Sequence, residues 1–557
     1  MRLHKLLWYG LMSVPLLFLA IFFFYPLISI FSFSLIDNGA IDLSGFVTLV
    51  TRPLYRETLL RTTWQATLST LLTIGLALPA AYVFTRYQFR GKSLLLSLTT
   101  LPFVLPTVVV ATAFMAIVGP RGFLNEWLMQ LFALDEAPIQ LRGTLAIILI
   151  VHVFYNYAIA LRMITGYWSN QSTNIEEAAQ VLGAKGFNLW WSIRLPILRP
   201  AILAASVLVF IFTFTSFGVI LILGDLQFMT LEVQIYYQAR NLFNLPLAAA
   251  LSLVQIMTML LMMIFYTWLQ KNIATSNLQS AKQVARPVKT TGERIFLAAN
   301  LLFIVILLFT PLLALIARSF IQDGTFTLDY YRALGELDDG SVLAITPLAA
   351  TINSFRIASI TTIAAVILGL ISAYLIGGHN RPKWISQIFD PVFMLPLATS
   401  AVTLGFGFTI ALDEPPLDLR ASWWIIPIAH TLVAIPFVVR SVLPAIRAIP
   451  ENLYEAGAVL GANPFTTWRL IELPLISRGL IVGATFAFTI SMGEFGASLF
   501  VVRSNSSTMP LVIYRLLGQP GLNNYGQALA MSSLLMLVCM VSFIAIERIR
   551  TSGIGEF

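Results

Sequence analysis

Two short stretches carry the residue types best placed to act on another molecule. Glu177-Ala178-Ala179 is followed by Gly183 and, ten residues later, by Ile193-Arg194-Leu195-Pro196. Glu455-Ala456-Gly457 is followed by Gly461 and by Ile471-Glu472-Leu473-Pro474 at the same spacing, 278 residues further on. A carboxylate among small side chains does no catalysis alone, but on a short helix it makes a small-faced knob with one orienting charge, suited to a groove on a partner. Asn174 and Asn452 can cap such a helix, Gly183 and Gly461 permit the turn that ends it, and Pro196 and Pro474 open the next helix. One copy could be an ordinary loop; two at equal spacing argue against chance.

A second set lies inside apolar runs. Glu494, in Phe488-Thr489-Ile490-Ser491-Met492-Gly493-Glu494-Phe495-Gly496, is an ionisable group where lipid would penalise it, so it should face a cavity or a partner. Its counterpart 278 residues earlier is Ser216, beside Thr213 and Thr215. These residues, with Ser491 and with Asn156 and Tyr157, are candidates to line a path through the membrane. A structural alternative for Glu494 is a contact with Arg503 or a helix end. His152 and His430 occupy equivalent places, but one ring per half lacks the clustered ligands a metal needs, so a structural role is the better reading. Tyr236 and Tyr514 read as aromatic anchors at the membrane interface.

Several chemistries are excluded. The string Gly91-Lys92-Ser93 has Arg86 where a phosphate loop requires its first glycine, so the chain has no means of cradling ATP. A single cysteine, Cys539, cannot build a disulfide or a thiolate metal site. No constellation of His, carboxylate or Cys groups suggests an enzyme, and no cofactor is expected on this chain.

The elements that must position these residues are membrane helices. With 58% hydrophobic and 11% charged residues, the chain is too apolar for a soluble domain. Runs approaching or exceeding roughly 20 apolar residues, enough to cross a bilayer, recur throughout. We place spans near 7–33, 62–85, 94–118, 143–164, 200–224 and 246–270, then near 295–318, 350–377, 388–411, 422–440, 477–500 and 526–546. The first is read as a retained helix, for want of a small-x-small cleavage site. All seven lysines fall on one side of this topology and most acidic residues on the other, which puts the knobs and both chain ends in the cytoplasm. The +8 charge thus reads as orientation, not nucleic-acid binding.

Residues 271–294 are polar and basic and read as a cytoplasmic linker between a first half, 1–270, and a second, 295–557. Duplication shows in His152 with His430, Arg162 with Arg440, and Phe217-Gly218 with Phe495-Gly496. An even number of helices per half makes the repeats parallel, related by an axis along the membrane normal.

With these motifs the sequence resembles the inner-membrane permeases of binding-protein-dependent ABC importers, whose signature is a Glu-Ala-Ala loop ending in Ile-x-Leu-Pro. Gly457 departs from it by replacing the second alanine with another small residue. The resemblance implies an all-α membrane protein of the type I importer permease fold, about twelve helices in two six-helix halves, in the bacterial inner membrane. It implies knobs that seat in a separate ABC ATPase dimer, which holds ATP and Mg, and an extracytoplasmic substrate-binding protein. The fused layout is similar to the ferric-iron and thiamine branch, with ferric iron the first expectation and thiamine or another small solute the alternative. An ion-driven secondary transporter is the competing class, but it leaves the paired knobs unexplained.

Overall fold

The computed structural model describes residues 2–551 except 38, 172–173, 275–284, 323, 338–340, 379–381, 414 and 416. Among these, the protein is helical with only three two-residue strand pairs. Eleven helices are long and apolar enough to span a membrane, and a twelfth span is a pair, Trp384–Leu397 and Ala401–Ala411, bent by 91°. The chain is thus an all-α, multi-pass membrane protein.

Most spans fall where hydropathy places them, but four are broken. The expected span 94–118 divides at Leu105-Pro106 into the short helices Lys92–Leu98 and Leu101–Val104 and the helix Thr107–Val118. The expected 200–224 ends as a helix at Phe214 and resumes at Gly218–Leu223. The expected 477–500 ends at Gly493 and resumes at Ser498–Val501. With the bent pair, these breaks sit around one point, and backbone freed inside a membrane must find partners in protein or line a cavity.

Tight helix packing holds this frame. Added Cβ atoms at Gly369 and Gly483 would lie 2.7 and 3.1 Å from Val438, so the spans Pro347–Gly377, Ile425–Arg447 and Pro464–Gly493 meet almost backbone to backbone. Small residues at such crossings are what drives association where lipid offers no hydrophobic gain. The halves also embrace: helix Tyr25–Leu35 of the first span packs on Ala401–Ala411 of the second half, and Thr291–Ser319 packs on Thr107–Val118 of the first. Arg318 seals that contact with a two-pronged bond to Glu126, at 2.5 and 2.6 Å.

The expected linker is shorter than 271–294 and partly docked. Helices run to Ala274 before it and from Thr291 after it, and 275–284 lie outside the described residues. Arg286-Pro287 pairs in parallel with Tyr87-Gln88 of the first half, with the Arg286 guanidinium 5.6 Å from the Tyr87 ring centroid.

Candidate translocation site and coupling knobs

The two motif stretches fold as matching knobs on one face. Helices Asn174–Val181 and Glu451–Val459 end at Gly183 and Gly461, whose φ of +93° and +76° favour glycine. Each leads into a short helix and a wide π turn, Trp190–Arg194 and Trp468–Glu472, before the next span. Glu177, Ala178, Glu455 and Ala456 are exposed, Ala179 is half-buried and Gly457 is buried. A methyl group at Gly457 would meet Ile471 Cδ1 at an ordinary 3.4 Å, so the departure from alanine alters little. Asn452 is not a cap, because the helix starts one residue earlier, behind Pro450. Beyond each motif a Val-Leu pair stands bare: Val181 and Leu182 are 87% and 88% exposed, Val459 and Leu460 87% and 85%.

The roots of the knobs differ. Buried Glu176 is shared by Arg86 and Arg194, the latter at 3.2 Å, and Arg194 also lies 5.1 Å from the Tyr82 ring centroid. At the equivalent places the second half has Tyr454 and Glu472. Burial, and then the Glu472 charge, push the Tyr454 hydroxyl up to about 12.

The four breaks surround a cavity of about 430 Å³ between the halves. Its wall includes Phe103, Tyr155, Phe212, Phe217 and Phe495, the hydroxyls of Thr215, Ser216, Thr399 and Ser400, and the carboxylates Glu232 and Glu494; no lysine or arginine is among the described residues lining it. Phe217 and Phe495, equivalent by the repeat, stack across the axis with centroids 5.9 Å apart. Tyr236 and Tyr514, the expected interface anchors, instead pack on these rings at 5.7 and 5.4 Å. The four rings form one aromatic layer, of which Phe217 and Phe495 line the cavity.

Of the expected path residues, the cavity wall takes Asn156, Thr215, Ser216 and Glu494. Thr213, Tyr157 and Ser491 are not on it. Thr213 faces the second span, where Gln65 Nε2 donates to its carbonyl at 2.9 Å, and its hydroxyl donates to Val209 O of its own helix. Tyr157 is buried with its ring 5.9 Å from Phe303. Ser491 lies 2.8 Å from His430 Nδ1.

Glu494 ties the break in its helix together. Its carboxylate accepts from the backbone N–H of Ala497 and of Ser498, both at 2.8 Å, and from the Ser498 hydroxyl at 2.7 Å. His430 Nε2 is 2.9 Å from Ser498 Oγ and 3.3 Å from Glu494. Since the Ser498 proton goes to the carboxylate, its oxygen accepts from Nε2–H. In the first half His152 bridges Ser69 at 3.0 Å and Ser216 at 2.8 Å without any carboxylate. Each histidine, on an unbroken helix, thus holds a serine of a broken one.

Sequence reasoning missed Glu232. Wholly buried in helix Leu231–Tyr236, it accepts from Ser400 Oγ of the second half at 2.7 Å and from Gln255. An acid inside Leu231-Glu232-Val233-Gln234-Ile235 was the available signal, hidden because that stretch reads as an external loop.

Broken helices facing one another around an axial cavity, above paired knobs, define a membrane permease. The chain belongs to the family described as binding-protein-dependent transport system inner membrane component, whose model matches residues 73–275 and 365–551. It is 28% identical over 494 residues to the thiamine transport system permease protein ThiP of Escherichia coli, covering 87% of each chain. The ThiP of Haemophilus influenzae is 28% identical over 496 residues, again 87% of each. A probable ABC transporter permease protein, y4fN, of Sinorhizobium fredii is 23% identical over 91% of this chain and 90% of its own. Among solved structures, a bacterial alginate ABC transporter in complex with a pentasaccharide-bound periplasmic protein gives a TM-score of 0.40 at 18% identity, covering 50% of this chain and 97% of that one.

Proposed function

We propose that this chain forms the translocation path of an ATP-driven importer and that its cargo is thiamine or a closely similar organic cation. The observation that carries the reading is the axial cavity, walled by aromatic rings and two carboxylates. A flat organic cation gains from both, since ring faces attract positive charge and a carboxylate acts strongly where water is scarce. Its volume falls within the roughly 300–1,000 Å³ usual for small-molecule sites. The relatives named for thiamine transport support that alternative over the ferric-iron expectation. In this reading the knobs at Glu177 and Glu455 seat in the two subunits of a cytoplasmic ATPase dimer that holds ATP and Mg. Both chain ends lie on that side, and a binding protein delivers cargo to the opposite face. Closure of the dimer pulls both knobs equally and rocks the halves, opening the aromatic layer.

The test is uptake by proteoliposomes containing the chain, its ATPase and a thiamine-loaded binding protein. ATP-dependent thiamine accumulation is expected, and Glu232→Gln should lower it while leaving ATPase docking intact. Uptake driven by an ion gradient without ATP would sink the importer reading. ATP-driven uptake of iron in place of thiamine would overturn the cargo alone.

A further inference from the structure

Away from the knobs lies a crevice of about 670 Å³, floored by Phe500, Val501 and Val502 and ringed by Arg240, Arg420, Arg503 and Arg515. Arginine on this face runs against the usual bias of basic residues toward the cytoplasm, so each one needs a local reason. Elsewhere on the face Arg61 pairs with Glu57, Arg318 with Glu126 and Arg332 with Asp329, while Arg52, Arg56, Arg121 and Arg142 have no ion pair among the described residues; what sets the crevice apart is that three such arginines line one hollow. Within the crevice Arg420 pairs with Asp413. Among the described residues, no carboxylate lies within ion-pair distance of Arg240, Arg503 or Arg515. Arg515 is half-buried and has only a 3.3 Å bond from Nη1 to Ser507 Oγ. Its pKa is held below the usual value by burial and by the neighbouring Arg240 charge.

Arg240 belongs to the first half, on the π turn Tyr237–Asn241; Arg503 and Arg515 belong to the second. Like charges from two moving bodies therefore converge on one concave space and repel until something neutralises them. A guanidinium offers a planar fork of donors that matches the oxygens of a phosphate group, and several forks around one hollow suit a doubly charged oxyanion better than a single carboxylate. We propose that this crevice is a binding site for a phosphate-class oxyanion, which joins the halves by accepting from Arg240 on one and from Arg503 and Arg515 on the other. The floor residue Phe500 packs edge-on against Tyr236, 5.6 Å between centroids, so the occupant sits directly behind the aromatic layer. Free phosphate and the headgroup of an acidic lipid share this chemistry. The site is separate from the axial cavity and holds whatever the cargo proves to be.

The experiment is thermal unfolding of the purified full-length chain in detergent with increasing inorganic phosphate, against sodium chloride at matched ionic strength. Phosphate at about a hundred times its dissociation constant should shift the folding equilibrium about a hundredfold, and chloride should not. Arg240→Gln and Arg503→Gln should each weaken the phosphate response at least about tenfold, because each removes one side of the bridge. Arg503→Lys keeps the charge and loses the fork, so it should also weaken it, and it guards against a folding defect in the glutamine variant. Arg332→Gln, on the same face but outside the crevice, should leave it unchanged. Repeating the titration in nanodiscs assigns the source: phosphate remains effective in neutral phosphatidylcholine, and is pre-empted in phosphatidylglycerol if a headgroup fills the site. An equal shift with chloride, an undiminished response in the crevice variants, or sensitivity to only one half's arginines would overturn the proposal.

Discussion

The two halves share a backbone plan and divide the charges differently. In the first, the ionic centre is outside the membrane region, where Glu176 joins Arg86 and Arg194 at the knob root, while the histidine node has no carboxylate, His152 between Ser69 and Ser216. In the second, the node carries the charge, Glu494 beside His430, and the knob root has Tyr454 near Glu472. Duplication conserves what the fold needs at both sites, a histidine-to-serine contact and a knob, and leaves free how each is stabilised. Even the cavity's second carboxylate breaks the repeat: Glu232 has Pro510 as its counterpart.

The comparison can be broken at the nodes and at the knob roots. Glu494→Ala strips the partners from the amides of Ala497 and Ser498, and an orphaned buried donor costs about 1–3 kcal/mol. Ser216→Ala loses one hydrogen bond to His152, worth about 1 kcal/mol. Thermal unfolding of the two purified variants should therefore show a much larger loss for Glu494→Ala; equal losses would mean that the charge serves the cavity and not the broken helix. At the knob roots, Glu176→Ala leaves two arginines facing each other, a change of about 3–5 kcal/mol when a buried pair loses one partner. Tyr454→Phe removes only a hydroxyl and should cost about 1 kcal/mol or less. Limited proteolysis of the knobs, and retention of the ATPase on purification, should separate these variants in that order. Similar behaviour would show that the ionic root is incidental.

What could be read in advance follows from how local each feature is. The knobs were legible because their carboxylate, small residues and turn glycine are contiguous in sequence, and the spans because run length alone marks them. The breaks at 215–217 and 494–497 were not, since hydropathy says nothing of whether a backbone amide is satisfied. Glu494 lay in plain view, but its role depends on amides three and four residues on, in a conformation the apolar run conceals. Glu232, Ser400 and the pairing of Tyr236 and Tyr514 with Phe217 and Phe495 depend on two halves meeting, which no window of sequence contains.

The smallest expected effect concerns the connection between the halves. A passive tether would leave them associated when cut, and so would a docked one, but for different reasons. The bonds that join the halves lie mainly elsewhere: Arg318 with Glu126, Ser400 with Glu232, Phe217 on Phe495, and the crossed packing of Tyr25–Leu35 and Thr291–Ser319. Against these, the pairing of Arg286-Pro287 with Tyr87-Gln88 adds a two-residue ladder and one ring contact at a partly exposed site, about 1 kcal/mol by the worth of surface interactions. A protease site placed within 275–284 should therefore yield two fragments that co-purify and keep nearly the parent's melting temperature. Arg286→Ala should change little in the intact chain. In the cleaved protein, Arg286→Ala should loosen the start of Thr291–Ser319 enough to speed hydrogen exchange there, because the covalent tether no longer holds the strand in register. If the cut separates the halves, the linker carries far more of the assembly than its short ladder accounts for. If exchange is the same with and without Arg286, the docking is incidental and the linker is a tether alone.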